Sequence, residues 1–224
     1  MKSYKIHLIR HGITGGNLKG QYVGQIDEEI TTDGINELLM LKTKYAYPKA
    51  DTFFASPLKR CSETLRILYG DIEPVIIEGI SECNFGEFQG KTFDELQTDE
   101  LFRKWATAGN DITPPGGEAS SEFTDRCIAA FDIIADTVIN SEIPESVICT
   151  HGGVITTILA YYGLPKRDIY GWMCPAGCGF TVEIVPNSFL YDGTFEVIGD
   201  LPRGYQKEQD LALNTILKRR DTDE

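Results

Sequence analysis

Two hydrophobic rhythms alternate along the chain. Lys5-Ile6-His7-Leu8-Ile9 is a short apolar run closed by Gly12 and Gly15-Gly16, the length and boundary of a buried strand. Thr31 or Thr32 then caps a segment with Ile35, Leu38 and Leu39 at helical spacing. Thr52-Phe53-Phe54-Ala55 is a second short strand. Ser56-Pro57 follows as a helix start, Ser as cap and Pro at the first helical position, with Leu58, Cys61, Leu65 and Leu68 on one face and Gly70 as the stop. Val75-Ile76-Ile77 reads as a strand, and Thr92 with Glu95 as a capping box opening a helix. Phe123, Cys127, Ala130, Phe131, Ile134 and Val138 mark a long amphipathic helix. Ser146-Val147-Ile148-Cys149-Thr150 is a strand running into His151-Gly152-Gly153, followed by a helix over 154–162 that ends at Gly163. Strands over 180–185 and 194–198 come next, as antiparallel neighbours or edges, and then a helix with Leu211, Ile216 and Leu217.

Strands alternating with helices predict an α/β fold, a three-layer α/β/α arrangement with a mostly parallel central sheet. A chain of 224 residues suits one domain, 1–224, and no repeat or low-complexity linker divides it. No apolar run reaches the ~20 residues that span a bilayer.

Composition narrows the partners. The formal net charge of −13 disfavours nucleic acid and anionic membrane surfaces, both polyanions, but says little about a small anion held in a local pocket. Six cysteines (Cys61, Cys83, Cys127, Cys149, Cys174 and Cys178) follow a start with no leader-like segment, so reduced thiols in a cytoplasmic protein are expected. Cys174 and Cys178 lack the second ligand pair that zinc requires, and no metal site is expected.

Ligands of open α/β sheets bind beyond the carboxyl ends of the strands. Arg10-His11-Gly12 closes the first strand there, and His151-Gly152-Gly153 closes a later one. Arg60 lies in the first turn of the helix after Thr52–Ala55. Two of only three histidines thus converge with two arginines on one sheet edge, whereas His7 sits inside a strand as a hydrogen-bonded core or edge residue. Arginine forks match phosphate oxygens, the helix starts after Gly12 and Gly153 can offer amides to an anion, and neutral imidazole is a nucleophile near neutral pH. Rival phosphate chemistries fail on spacing. The run from Gly86 to Thr92 has one residue too few for a P-loop, and Cys61 is followed by Arg66 one residue too early for a cysteine phosphatase.

These motifs resemble those of the histidine phosphatase superfamily, the phosphoglycerate mutase-like fold, from residue 5 to about 200. Arg10-His11-Gly12-Ile13-Thr14-Gly15-Gly16-Asn17 is similar to its R-H-G-x-T-x-x-N signature, followed by Thr31-Thr32-Asp33-Gly34. Ser56-Pro57-Leu58-Lys59-Arg60, Glu82 before Cys83-Asn84-Phe85-Gly86, and Thr150-His151-Gly152-Gly153 resemble the later motifs in order. The resemblance implies that His11 becomes a phosphohistidine, that Arg10, Arg60 and His151 hold the phosphoryl oxygens, and that Glu82 exchanges the proton. It also implies that Asn17 and the Gly152 amide position the phosphate, that Val23 and Gly24 line the mouth through their backbone, and that no metal or other cofactor is needed. That chemistry calls for a neutral His11, its pKa depressed by Arg10, and a protonated His151, its pKa raised by bound phosphate.

Departures from the mutase pattern favour a phosphatase acting on a small phosphate monoester. Ile13 stands where mutases carry an acid, and Cys83-Asn84-Phe85 lacks the arginine and tyrosine that grip a phosphoglycerate carboxylate. Only 69 residues separate Glu82 from His151, short for the mutase insertion. Arg103-Lys104 could partly substitute or form a solvated helix face. Glu118 after Pro114-Pro115-Gly116-Gly117 is similar to the phosphatase branch. A specificity insertion is expected at about 85–117, with Phe88, Phe93, Phe102 and Trp105 as lid or core, and a helical tail at about 205–224. A cofactor-dependent phosphoglycerate mutase and a non-catalytic phosphate-binding protein are the alternatives.

Overall fold

The computed structural model describes residues 2–107 and 112–205; the expected C-terminal helix lies outside them. Seven strands form one sheet in the order β3-β2-β4-β1-β6-β7-β5: β1 Tyr4–Arg10, β2 Thr52–Ala55, β3 Val75–Ile76, β4 Glu145–Thr150, β5 Gly163–Leu164, β6 Gly179–Ile184 and β7 Phe195–Leu201. Pairing is parallel from β3 through β2 and β4 to β1, antiparallel from β1 through β6 to β7, and parallel again between β7 and β5. The sheet is therefore mixed, with the parallel half carrying the motif residues. The pair over 180–198 is antiparallel, as its position after the parallel units suggests.

Helices cover both faces because the central strands are apolar on both. Ile6 and Leu8 of β1, Phe54 of β2 and Ile148 of β4 share a core with α6 (Ser120–Asn140) and α7 (Gly152–Tyr162). Ile9, Ala55, Val147 and Cys149 face α2 (Thr32–Lys44) and α3 (Lys59–Tyr69) instead. This is the alternation expected of consecutive strand residues. His7 breaks the apolar run but is satisfied, with Thr181 Oγ1 3.0 Å from Nδ1 and Glu145 Oε2 3.3 Å from Nε2. Burial lowers its pKa despite the nearby Glu145.

Three local expectations change. In α2 the buried stripe is Gly34, Leu38 and Leu41, while Ile35 and Leu39 are exposed. A cap at Thr31 fixes the rotation of this helix, its side chain accepting from the Gly34 amide. α3 begins at Lys59, not at Pro57; the Ser56 hydroxyl meets His151 Nε2 at 2.8 Å and accepts only a long 3.4 Å bond from the Leu58 amide. Asp27 takes over, accepting from the Lys59 amide at 2.8 Å. β3 is only two residues long and exposed, an edge strand.

Between β3 and α6 the chain forms a separate small core. Phe88 and Phe102 are buried with Leu96, and Tyr22, Phe85 and Trp105 pack against them. The Thr92–Glu95 capping box opens α4 (Phe93–Leu96), and α5 (Glu100–Thr107) supplies Phe102 and Trp105. Phe93 is exposed and touches this cluster only ring-edge to Phe102. Gly86 needs its glycine here: its φ is +53°, and a Cβ would collide with the Pro115 carbonyl.

Candidate active site

Strand register assembles the site. Arg10 pairs with Thr150 across the parallel β1–β4 ladder, and the His11 amide continues it to the Thr150 carbonyl at 2.9 Å. The next residue of each strand is a histidine, so His11 and His151 meet with ring centroids 5.0 Å apart. On the other side of β4, Ala55 is in register with Cys149 and the Ser56 amide bonds the Cys149 carbonyl, which delivers the first turn of α3 and Arg60 to the same place. Both histidines and Arg60 are at most 4% exposed.

Hydrogen bonds fix the protonation of both rings. His11 Nδ1 lies 2.7 Å from the Gly12 carbonyl, which can only accept, so the proton is on Nδ1 and Nε2 keeps its lone pair. Burial, then Arg60 and Arg10, push the His11 pKa down to about 3. At His151 the guanidinium of Arg60, which can only donate, approaches Nδ1 at 3.3 and 3.4 Å. The proton of His151 is therefore on Nε2, donated to Ser56 Oγ, with Cys61 Sγ 3.7 Å away. The charged His151 called for above is thus not found in this arrangement. Burial first, and then His11 and the two arginines, lower its pKa well below the ordinary value.

Arg60 is itself anchored through the carbonyls of Gly24 and Ile26, each at 2.7 Å. Gly24 (φ +55°) thus serves through its backbone, and Val23 is buried beside it. Arg10 donates Nη1 to the Cys174 carbonyl at 2.8 Å, while its Nε is buried without a partner beside Gly152. A buried unpaired guanidinium N–H is costly and marks a place where an acceptor belongs.

Of the two helix starts expected to present amides, one does. α7 begins at Gly152 with no side-chain cap, and its Gly153 amide reaches Glu82 Oε2 at 3.3 Å. The other, the short helix α1 (Gly15–Leu18), is already capped. Asn17 Oδ1 accepts from the Thr14 amide, Thr14 Oγ1 from the Asn17 amide, and Glu28 from the Gly16 amide. The carboxamide oxygen of Asn17 is therefore spent on the turn that follows His11.

Glu82 stands over the start of α7 with its other oxygen on the Cys83 amide. Its loop is held by Arg126 of α6, which donates to the carbonyls of Gly79, Ser81 and Glu82 at 2.7–3.0 Å. Arg126 also pairs through two nitrogens with Glu118, which accepts the Asn84 amide at 2.6 Å. Burial would raise the Glu118 pKa, but Arg126 and the Asn84 amide outweigh it and hold it below the usual range.

A cavity of about 520 Å³ is lined at one end by Arg10, Glu82, Gly152 and Gly153 and at the other by Tyr22, Phe85, Ile169, Tyr170 and Met173; His11, Arg60, His151, Asn17, Val23 and Gly24 are not among its lining residues. Arg103 and Lys104 line a different cavity, and Lys104 pairs with Glu100 at 2.7 Å, so they do not substitute for the missing carboxylate grip. All six cysteines are free thiols.

The sequence matches the profile of the histidine phosphatase superfamily (branch 1) over residues 6–190. The chain belongs to this superfamily. Among its relatives, the adenosylcobalamin/alpha-ribazole phosphatase of Salmonella typhimurium is 26% identical over 80% of this chain and 90% of its own. A 2,3-bisphosphoglycerate-dependent phosphoglycerate mutase of Beijerinckia indica is also 26% identical, over 81% and 92%. The crystal structure of the alpha-ribazole phosphatase from Shigella flexneri shares the fold, with a TM-score of 0.72 over 86% of this chain and 94% of that one at 24% identity.

Three residues around the site were not anticipated from the sequence: Ser56 as the partner of His151, Asp27 as the acceptor for the first amide of α3, and Arg126 as the brace of the Glu82 loop. Only Arg126 left a signal. It lies three residues after Phe123 and four before Ala130, a charge on the apolar stripe of a helix, which calls for a buried partner.

Proposed function

We propose that this histidine phosphatase hydrolyses small phosphate monoesters through a phosphohistidine on His11, without a metal. The observation that carries the reading is the fixed tautomer of His11: Gly12 holds the Nδ1 proton, and the lone pair on Nε2 is available at neutral pH. Nε2 attacks phosphorus, an N–P bond forms, and the ester P–O bond breaks. Glu82 gives its proton to the departing oxygen. Water then attacks the phosphohistidine and loses its proton to the Glu82 carboxylate; the N–P bond breaks and inorganic phosphate leaves. Arg10 Nε, Arg60 and the open end of α7 around Gly152 receive the phosphoryl oxygens. His151 joins them by taking up a proton as the dianion binds, since an adjacent negative charge raises its pKa. Asn17 acts by shaping the turn after His11, and Gly24 with Ile26 by holding Arg60. Phosphoryl transfer is mainly positioning and charge stabilisation, the two things that this set of groups supplies.

The mutase alternative needs a second anion held in the cavity, and Arg10 and Glu82 are the only charged side chains among the described residues that line it. The test is hydrolysis of 4-nitrophenyl phosphate with a chelator present. Wild type turns over, and His11→Ala loses on the order of 10⁴-fold or more in kcat/KM. Turnover that survives the substitution overturns the mechanism. Bisphosphate-dependent isomerisation of 3-phosphoglycerate would establish the mutase instead, and phosphate binding with no turnover of any ester would establish a binding protein.

A further inference from the structure

The cavity has two ends of opposite character, and the distal end is built without charge. Tyr22 and Phe85 meet edge to face at 5.5 Å, and both also contact Trp105. Facing them, Tyr170 and Met173 are 77% and 60% exposed. They are not loose. The 3-10 turn Ile169–Trp172 is capped by the Asp168 side chain on the Tyr170 amide, and Trp172 is fully buried against Phe180. Exposed apolar side chains held on an anchored turn form a preorganised wall.

Among the described residues, the polar side chains that line the cavity beyond Arg10 and Glu82 are the hydroxyls of Tyr22, Thr156 and Tyr170. The Thr156 hydroxyl, at the cavity wall, already donates to the carbonyls of Gly152 and Gly153. Arg167 stacks on the Trp172 ring at 4.4 Å, and Arg126 is committed to Glu118 and the loop carbonyls. A carboxylate or second phosphate at the distal end would lose its water and find no cation among the described residues.

We infer that the site selects monoesters whose alcohol portion is uncharged and apolar, aromatic rings above all, with the phosphate at Arg10 and the ring between Phe85 and Tyr170. This rests on the phosphatase reading above. The test compares benzyl phosphate, glycerol 3-phosphate and 3-phosphoglycerate, all esters of poorly acidic alcohols, so that binding rather than leaving-group ability sets the order. Benzyl phosphate should exceed glycerol 3-phosphate in kcat/KM by about 10–100-fold, the worth of burying one ring, and 3-phosphoglycerate should be last. Tyr170→Ala and Met173→Ala should each shrink the benzyl-to-glycerol ratio several-fold. Calorimetry of benzylphosphonate against methylphosphonate reads the same preference without turnover. Equal or reversed rates that still depend on His11 overturn the substrate class and leave the phosphatase standing. Tighter benzylphosphonate binding with no turnover of any ester supports the apolar site and overturns the phosphatase. No turnover and no binding preference overturn both.

Discussion

The two ends of the cavity are made in different ways. The phosphate end is built on regular structure: Arg10 and His11 follow from β1, His151 from β4, and Arg60 from the first turn of α3, with His11, Arg60 and His151 nearly inaccessible to solvent and Arg10 half-buried at the cavity wall. The distal end is built on loops and short turns around Tyr22, Phe85 and Ile169–Trp172, with its apolar side chains left in solvent. Strand ends hold atoms to the tolerance that bond-making needs, whereas a ring wall tolerates small displacements, so the proposed chemistry falls on the rigid part and the proposed selectivity on the adjustable one.

Glu82 stands at the phosphate end beside Gly153, and the substitution with the largest expected effect after loss of His11 tests its role there. Glu82→Gln removes the proton but keeps the shape. With benzyl phosphate, whose alcohol leaves poorly, kcat should fall about 10²–10⁴-fold. With 4-nitrophenyl phosphate, whose leaving group needs no proton, the fall should be far smaller. Equal losses on the two esters would remove Glu82 from the acid role and make it a structural partner of the Gly153 amide.

The same division decides what was legible in the sequence. Arg10, His11, Arg60 and His151 could be found because strand ends and helix starts have local signals, and the parallel order of β2, β4 and β1 follows from alternating strands and helices. The His151 tautomer could not be read in advance, because it depends on burial and on the donor direction of Arg60, which no spacing encodes. The start of α3 was misplaced for a related reason. Ser56-Pro57 is a good local cap signal, but the hydroxyl turns to His151 across the sheet and keeps only a long bond to the Leu58 amide, while Asp27 takes the Lys59 amide. The aromatic residues between 85 and 105 could not be sorted into core and lid from type alone, and the structure puts Phe88 and Phe102 inside and leaves Phe93 outside. The distal wall had no signature at all, because its members come from three separate loops.

Arg126 offers a smaller and more specific test. It touches no part of the cavity, yet it holds the carbonyls on which Glu82 is carried. Arg126→Met should cost about 3 kcal/mol of stability by leaving Glu118 and these carbonyls unpaired, read by urea unfolding. It should also lower kcat by about tenfold on benzyl phosphate with KM little changed, because the loop moves while the apolar wall stays. Adding Glu118→Gln should recover part of the stability but not the kcat. If the double variant regains both, Arg126 merely neutralises Glu118 and does not position Glu82.

The mildest test uses acid. His7, His11 and His151 all have pKa values lowered in the folded protein, by burial first in each case. The unfolded chain, with its histidines near 6.5, therefore binds more protons than the folded one below that pH. Stability from these groups is complete above about pH 6.5 and is lost as pH falls toward the His11 value of about 3. Each neutral buried ring adds up to one proton to the slope, or about 1.4 kcal/mol per pH unit. His7 lies outside the cavity, so His7→Gln should flatten the decline between pH 7 and 5 by up to one proton while leaving ester hydrolysis at pH 7 in place. Tyr170→Ala, on the exposed wall, should leave the slope untouched. A wild type equally stable at pH 7 and pH 5 would break the contrast, because the two site histidines would then not be the water-excluded neutral rings that their burial makes them.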